Sequence, residues 1–477
     1  MRTRHALIDS LPGRFSSAAA LLYFVIFALL FQIDGALAED PSDPKVPTDA
    51  ADAQDFTDPV KSFELPNWIS LHMQGTSTTQ GHPQFSSAIA DGPGSMKSHG
   101  QSATTNDATL FTGIRLGNLE LYINPEMDQG FGLSNTLGVA GYTSGEAYKI
   151  GAYDPYFRMQ RLFGRYVVDL GGESQTVEDG PNQLAGIHDS DNVTFTFGKF
   201  SVVDIFDNNS YAHDPRADFL NWSIIDMGAF DYAADSWGYT YGGAAEWTQS
   251  RWSLRGGVFD LSRQPNDKYL VRGFGEYQTV VEAEERHQLL DNPGKVKALF
   301  FLTAANMGSY EDALKLAAQT GSIPDTSLVR HWETRPGGGI NVEQQLMPGL
   351  GSFLRASMND GTKEAYEFTE INRSISSGLS LNGEKWGRSD DTIGVGGSLN
   401  AISSEARQYL AAGGQGILIG DGQLPSYSGE QIIEAYYKAT IIEGISATAD
   451  YQHVINPAYN AVRGPIDFYA LRFHAEF

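Results

Sequence analysis

The hydrophobic pattern of this chain repeats at every second residue from Trp68 to the last position. The final segment shows it most clearly, because one face would carry Tyr469, Leu471, Phe473, Ala475 and Phe477. The opposite face would carry Ala470, Arg472, His474 and Glu476. A period of two predicts β-strands with one apolar and one polar face. Long amphipathic helices do not separate the segments, so a parallel βαβ architecture is not predicted.

Sixteen segments with this pattern follow one another along the chain. They span approximately residues 68–80, 109–116, 119–127, 158–170, 192–201, 237–250, 252–262, 272–288, 294–308, 335–347, 350–359, 366–382, 391–402, 429–442, 445–456 and 467–477. An even number of strands allows both ends of a bacterial barrel to lie on one side of the membrane. The pattern therefore predicts an all-β fold, a transmembrane antiparallel β-barrel of about sixteen strands.

The connections between the segments support a barrel, because their lengths differ between its two ends. Tight turns at 117–118, 250–251, 292–294, 347–349 and 443–444 fall on one side. Long connections fall on the other side, at about 81–108, 128–157, 202–236, 309–334, 403–428 and 457–466. Short periplasmic turns and long extracellular loops are typical of outer-membrane barrels. The connection at 171–191 departs from this rule, since it is long but falls on the short-turn side.

The connection at 309–334 carries the signals of a helix. Ser309 is a suitable N-cap, Glu311 and Asp312 follow in the first turn, and Gly321 stands at the C-terminal end. A short helix is therefore predicted within this loop, with a structural rather than a chemical role.

The N-terminus has the three parts of a secretory signal peptide. Three arginines precede an apolar run at 18–30, and Ala-Leu-Ala follows at 36–38. The run is shorter than the roughly 20 residues of a spanning helix, so cleavage is predicted rather than an N-terminal anchor helix. Residues 1–38 are assigned to the signal peptide, 39–67 to a flexible periplasmic lead-in, and 68–477 to the barrel.

Composition narrows the class of protein further. The chain of 477 residues has no cysteine and a formal charge of −25, and cleavage would remove three arginines and two aspartates to leave −26. The lack of cysteine excludes disulfides, thiolate metal sites and a cysteine nucleophile. The acidic charge argues against a nucleic-acid partner. Two classes remain, a soluble secreted β protein or a barrel in the lipid of the bacterial outer membrane.

Alternation also assigns the charged side chains to the interior of the barrel, because Arg facing mid-bilayer lipid costs about 2–4 kcal/mol. The predicted pore-lining residues on strands are Arg161, Arg165, Asp169, Glu246, Arg255, Glu276, Glu282, Glu284, Glu343, Arg355, Asp450 and Arg472. Trp222 and Trp237, in or beside the 202–236 connection, would add flat aromatic surfaces. A lumen with both signs of charge suits neutral polyols rather than ions of one sign. Alternatively, these charges pair across the lumen and stiffen the wall.

Signatures of catalysis are weak. Glu282 and Glu284 lie on one strand face at a spacing that a glycoside hydrolase could use, but any such pair on a lumen face does. The chain has no G-x-S-x-G motif and no phosphate-binding loop. His213-Asp214 lacks the spacing of a metal site. No catalytic residue, cofactor or metal is predicted.

Several stretches resemble the carbohydrate-selective porin (OprB) family. They are NNSYAHDPRADFLNW at 208–222, GAFDYAADSWGYTYGGAAEW at 228–247, NGEKWGRSDDTIG at 382–394, GDGQL at 420–424, NPAYNAVRGP at 456–465 and the closing RFHAEF. The resemblance covers nearly all of the mature chain and implies facilitated diffusion of glucose-type small sugars through a narrow, arginine-containing eyelet. These motifs do not say which residues form that eyelet.

Alternatives and partners remain open at this point. A general or small-acid-selective outer-membrane porin is the second reading, and a soluble secreted carbohydrate-active enzyme is the third. The expected partners are small sugars, outer-membrane lipid and the barrel-assembly machinery, which would bind the terminal Phe477. The barrel could work as a monomer or as a homotrimer.

Overall fold

The computed structural model describes residues 65–147 and 151–477, and in it sixteen antiparallel strands close one barrel. The strands are β1 (Ile69–His82), β2 (Gln101–Leu116), β3 (Leu119–Gly130), β4 (Ala152–Val177), β5 (Gly186–Phe200), β6 (Thr240–Gln249), β7 (Trp252–Asp260), β8 (Tyr277–Leu289), β9 (Asn292–Met307), β10 (His331–Met347), β11 (Leu350–Asn359), β12 (Arg373–Asn382), β13 (Thr392–Ala401), β14 (Glu430–Ile442), β15 (Ile445–Ile455) and β16 (Ile466–Glu476). Each strand pairs with the next, and β16 pairs with β1. The predicted barrel is confirmed. The predicted signal peptide and all but the last residues of the lead-in lie outside the described residues.

The strand that closes the barrel has the two faces that its alternation predicts. Its register with β1 runs from Gln74↔Glu476 to Gly81↔Tyr469. Leu471 and Phe473 are about half exposed on the outer face, whereas Arg472 is 1% exposed inside. The lipid-compatible side chains thus surround the barrel, and the charged ones lie within it.

The two ends of the barrel differ in the way the sequence predicts. The connections at 117–118, 178–185, 250–251, 290–291, 348–349, 383–391 and 443–444 form the short-turn end. The connections at 83–100, 131–151, 201–239, 261–276, 308–330, 360–372, 402–429 and 456–465 form the long-loop end. The exception at 171–191 is explained because β4 and β5 continue as a hairpin through most of it, across irregular pairing near Gly171.

Two strands begin at least five residues later than the sequence predicts. The segment predicted at 366–382 becomes a strand only at Arg373, because the backbone N–H groups of 366–369 bind the Asp231 side chain instead of a neighbouring strand. The segment predicted at 272–288 begins at Tyr277. Glu276, predicted on that strand, therefore lies in the preceding connection.

Three α-helices occur in the described part of the chain, namely α1 (Trp222–Ile225), α2 (Tyr310–Thr320) and α3 (Ser404–Ala411). The helix predicted in the 309–334 connection is confirmed as α2. Its N-cap Ser309 accepts a bond from the Asp312 N–H, and Gly321 takes the left-handed conformation at its end. No described helix is long and apolar enough to cross a membrane.

Candidate functional site

The 201–239 loop folds into the barrel and divides its interior. Asp207 of this loop is fully buried, and its Oδ1 accepts bonds from Arg355 Nε (3.1 Å) and Asn341 Nδ2 (2.7 Å). Its Oδ2 accepts a bond from the Met227 N–H within the same loop (2.6 Å). Separation of the loop from β10 and β11 would leave this buried charge without its partners, which is strongly unfavourable. The Asp207 carboxylate therefore holds the loop against these two strands.

Other inward charges bind the same loop through its backbone. Glu343 accepts a bond from the Ser210 N–H (2.8 Å), and Glu282 accepts one from the Asp207 N–H (2.9 Å). On the opposite wall, Arg472 donates to the Pro215 carbonyl oxygen (2.6 Å). These charged side chains compensate for backbone groups that the loop buries away from water.

A second buried carboxylate joins this loop to its neighbours. Asp231 accepts bonds from Arg335 Nη1 (2.5 Å), the Tyr366 N–H (2.6 Å) and the Phe368 N–H (2.8 Å). It thereby draws the 360–372 loop inward. In turn, Glu370 of that loop accepts bonds from the N–H groups of Leu418 (2.8 Å) and Ile419 (2.9 Å) in the 402–429 loop. Three long loops are thus packed one upon another inside the long-loop end.

The packing of these loops should depend on pH through the Glu370 carboxyl, and Glu370→Gln should remove that dependence. Burial raises the pKa of Glu370 from 4.5 to about 7. Because this pKa is higher in the folded protein than in the unfolded chain, Glu370 stabilises the folded loops fully below about pH 4.5. This contribution to the free energy of unfolding, about 3 kcal/mol, is lost as the pH rises through about 7. Amide exchange of residues 402–429, corrected for intrinsic rates, should therefore show more frequent opening at about pH 8 than at about pH 5.5. Glu370→Gln should flatten this difference, and equal pH slopes in both proteins would contradict the expectation.

The space that the 201–239 loop leaves open is a cavity of about 370 Å³. It lies between this loop and the wall, and it reaches from Trp237 and Phe368 towards Pro181, Asn182 and Glu476 at the other end. Among the residues that line it are Gln74, Phe111, Glu126, Glu146, Arg161, Asp204, His213, Asp214, Arg216, Trp222, Asp226, Tyr232 and Tyr239. The volume lies within the usual range for small-molecule sites.

Arg161 and Asp204 form a bidentate pair at the cavity. Arg161 Nε lies 2.8 Å from Asp204 Oδ2, and Nη2 lies 2.6 Å from Oδ1. The guanidinium carbon lies 5.0 Å from the centre of the Tyr239 ring. Despite burial, which acts in the opposite direction, this arginine lowers the pKa of Asp204. The pair therefore presents a fixed guanidinium plane beside an aromatic ring.

Arg216 lies among three carboxylates. Its Nε is 3.1 Å from Asp107 and 3.3 Å from Glu146, and its Nη2 is 3.6 Å from Glu126. Burial raises the pKa of Glu146 well above its usual range. The cluster carries more carboxylates than cations, and only Arg216 offsets them at close range among the described residues.

A group of aromatic side chains also lines the cavity. The Trp222 ring stacks on Tyr142 at 5.1 Å, and the rings of Tyr232 and Phe368 each lie 5.6 Å away. Flat rings in such a group offer an apolar surface to the C–H face of a small polyol.

Three buried polar atoms beside these rings have no hydrogen-bond partner among the described residues. They are Trp222 Nε1, Asp226 Oδ1 and His213 Nδ1, and the last two are 3.8 Å apart. Burial lowers the pKa of His213, which favours the neutral ring. An unsatisfied buried polar group costs about 1–3 kcal/mol, and these three atoms are shielded from solvent as well as unpartnered.

The structure separates the predicted site residues into groups. Arg161, Trp222 and Trp237 line the cavity. Glu282, Glu343, Arg355 and Arg472 bind the 201–239 loop, and Asp450 lies beside Gln452 on β15. Arg255 pairs with Glu246 (3.0 Å), Glu282 (2.8 Å) and Glu284 (2.9 Å).

The remaining predicted residues lie away from the main cavity. Arg165 binds the Asn182 carbonyl oxygen, and Asp169 lies near His188 at the short-turn end. Glu276 accepts bonds from Asn306 and Tyr366. Sequence reasoning did not select Glu126, Asp204, Arg216 or Asp226. Three of these four belong to the loop, where no alternation indicates which side chains face the passage.

A barrel narrowed by an internal loop to a polar, aromatic passage defines a porin, a channel of the bacterial outer membrane rather than an enzyme. The chain belongs to the carbohydrate-selective porin, OprB family, whose model matches residues 94–477. OprB of Pseudomonas putida has a similar structure, with a TM-score of 0.63 and 13% identity over 86% of this chain and 94% of that chain. At this identity the similarity concerns the fold.

Two other solved channels are less similar. The outer membrane channel DcaP of Acinetobacter baumannii has a TM-score of 0.45 and 10% identity, over 87% of this chain and 99% of that one. OccK2 (OpdF) of Pseudomonas aeruginosa has a TM-score of 0.43 and 9% identity, over 86% and 97%. No curated protein sequence matches the chain.

Proposed function

We propose that this porin carries glucose-type monosaccharides into the periplasm by facilitated diffusion. The observation that supports the proposal is the cavity, whose lining includes both the paired Arg161 and Asp204 and the Trp222 aromatic group. A monosaccharide is neutral and has hydroxyls that both donate and accept hydrogen bonds. Its C–H faces suit aromatic rings. The lining offers both kinds of contact within one small volume.

The mechanism follows from these contacts. Sugars enter between the long loops and exchange part of their hydration for bonds to the Arg161 and Asp204 side chains. Binding must stay weak and the sites must be successive, because cargo that binds tightly does not leave. Four inward charges outside the cavity hold the 201–239 loop in place, namely Glu282, Glu343, Arg355 and Arg472.

The cellular setting is part of the same proposal. A signal peptide cleaved after residue 38 would export the chain, and outer-membrane lipid would surround the apolar face. The assembly machinery would bind the C-terminal strand at Phe477, whose backbone pairs with Met73 in the closed barrel. The channel would act without a cofactor, as a monomer or as a homotrimer.

Liposome swelling tests the selectivity. Vesicles with the protein should swell faster in glucose or xylose than in a size-matched amino acid or small carboxylate. Arg161→Ala should weaken glucose block of the single-channel current by about tenfold to a hundredfold, because a bond to a charged group contributes about 1.5–3 kcal/mol. The matched control is Arg263→Ala, which removes an exposed arginine of the 261–276 loop. Equal swelling in all solutes would favour a general porin, and faster swelling in the carboxylate would favour an acid-selective one.

A further inference from the structure

The hairpin that joins β4 and β5 is longer than the barrel wall requires. β4 has 26 residues, and the pair continues to the 178–185 connection. The register shifts twice, between Asp169 and Gly171 and between Gly171 and Ser174. Gly171 and Gly172 have φ angles of 109° and 90°, which favour glycine. Such bulges bend a hairpin, so its tip need not point away from the barrel.

Polar side chains of the barrel wall bind the tip. Arg115 of β2 donates to the Leu184 carbonyl oxygen (3.1 Å) and to that of the next residue (2.7 Å). Arg165 of β4 donates to the Asn182 carbonyl oxygen (2.9 Å). Asn124 Nδ2, well inside β3, donates to Asn182 Oδ1 (2.7 Å). The tip therefore lies inside the mouth of the barrel.

Apolar packing and an ion pair add to these bonds. Leu184 is 2% exposed and belongs to the buried cluster that contains Tyr122 and Phe163. At the other side of the tip, His72 Nε2 of β1 lies 3.0 Å from Asp179 Oδ2. The tip is thus held by side chains from four adjacent strands, β1 to β4.

Two residues of the tip line the same cavity as Arg161 and Trp222. They are Pro181 and Asn182, on the short-turn side of the cavity. We propose that the tip at 178–185 is a second constriction, at the periplasmic exit, which limits the size of sugar that passes. Asn182 is its contact residue. Proline and an amide carry no charge, so the tip itself contributes size and hydrogen bonding to the selection at this end of the cavity. The inference rests on the proposed function for the identity of its cargo.

Shortening the tip tests the size limit. Replacement of residues 179–184 by two glycines leaves Arg115 and Arg165 in place. Single-channel conductance should rise about twofold or more, and the swelling rate in maltotriose relative to glucose should rise with it. Glucose block should persist, because Arg161, Asp204 and Trp222 are unchanged. Unchanged conductance and size limit in a variant with heat-modifiable gel mobility would overturn the proposal.

A single cysteine provides a test that does not depend on deletion, since the chain has no other cysteine. A bulky methanethiosulfonate reagent should remove most of the current through Asn182→Cys. It should leave that of Lys385→Cys unchanged, because Lys385 lies exposed in the 383–391 turn. Unchanged current after complete labelling at 182 would overturn the proposal. The cysteine test measures ion current and does not depend on sugar. If the unmodified channel excluded glucose, the proposed function would be contradicted, but the cysteine test would still show whether the tip narrows the pore.

Discussion

Asp231→Ala is expected to open the channel and to destabilise its loops together. Asp231 is fully buried, and it binds Arg335 and the N–H groups of residues 366–369. Its removal leaves the buried Arg335 guanidinium without a carboxylate, which costs about 3–5 kcal/mol. The 360–372 loop would then separate from the 201–239 loop, and the contact of Phe368 with Tyr232 (4.9 Å) would be lost.

Planar-bilayer recording and limited proteolysis measure this effect. Conductance should increase and become noisy, and the long loops should be cleaved more rapidly, while the barrel keeps its heat-modifiable gel mobility. Asp231→Asn should have a smaller effect, since its one carbonyl oxygen can still accept some of the N–H bonds. Asp312→Ala, on the exposed face of α2, is the control and should resemble the unmodified protein. Normal conductance and proteolysis of Asp231→Ala would refute the role given to this carboxylate.

Arg216→Gln is expected to make the channel more cation-selective and to weaken sugar block. The substitution leaves Asp107 and Glu126 without the guanidinium that offsets them within about 4 Å. Such an interaction contributes about 4 kcal/mol for a pair of unit charges near a protein surface. The uncompensated carboxylates would attract cations and repel anions. Loss of the guanidinium would also move the carboxylates apart and disturb the bonds they offer a sugar.

The reversal potential in a salt gradient gives the permeability ratio directly. It should shift towards the cation potential in Arg216→Gln, and the shift should shrink as the pH falls. Carboxylates take up protons at low pH and then no longer attract cations. Arg263→Gln removes a charge of the same sign from an exposed loop site and should have little effect. A reversal potential that matches that of the control would show that Arg216 does not govern ion selectivity.

The barrel could be predicted from the sequence because successive residues of each strand face the lipid and the interior in turn. The lipid favours apolar side chains, and the interior accepts polar and charged ones. In β16, the exposed Leu471 and Phe473 and the buried Arg472 follow this rule without any tertiary information. The bounds of α2 could also be predicted from the sequence, because the capping residues Ser309 and Gly321 act within one turn of the helix ends. The late starts of β8 and β12 could not be predicted from the sequence. Backbone groups of 366–369 that could have paired in a sheet bind the distant Asp231 instead.

The sequence by itself determined the number and order of the strands, their two faces and the two different ends of the barrel. It could not distinguish Arg161, which lines the cavity, from Arg355, which is buried against Asp207. Each arginine lies next to an outward-facing leucine, Leu162 or Leu354, and period-two patterning reports only that a side chain points inward. The positions of the 201–239 loop and of the 178–185 tip inside the barrel decided which inward side chains line the cavity. Those courses depend on bonds between residues far apart in the chain, and no local pattern records such bonds.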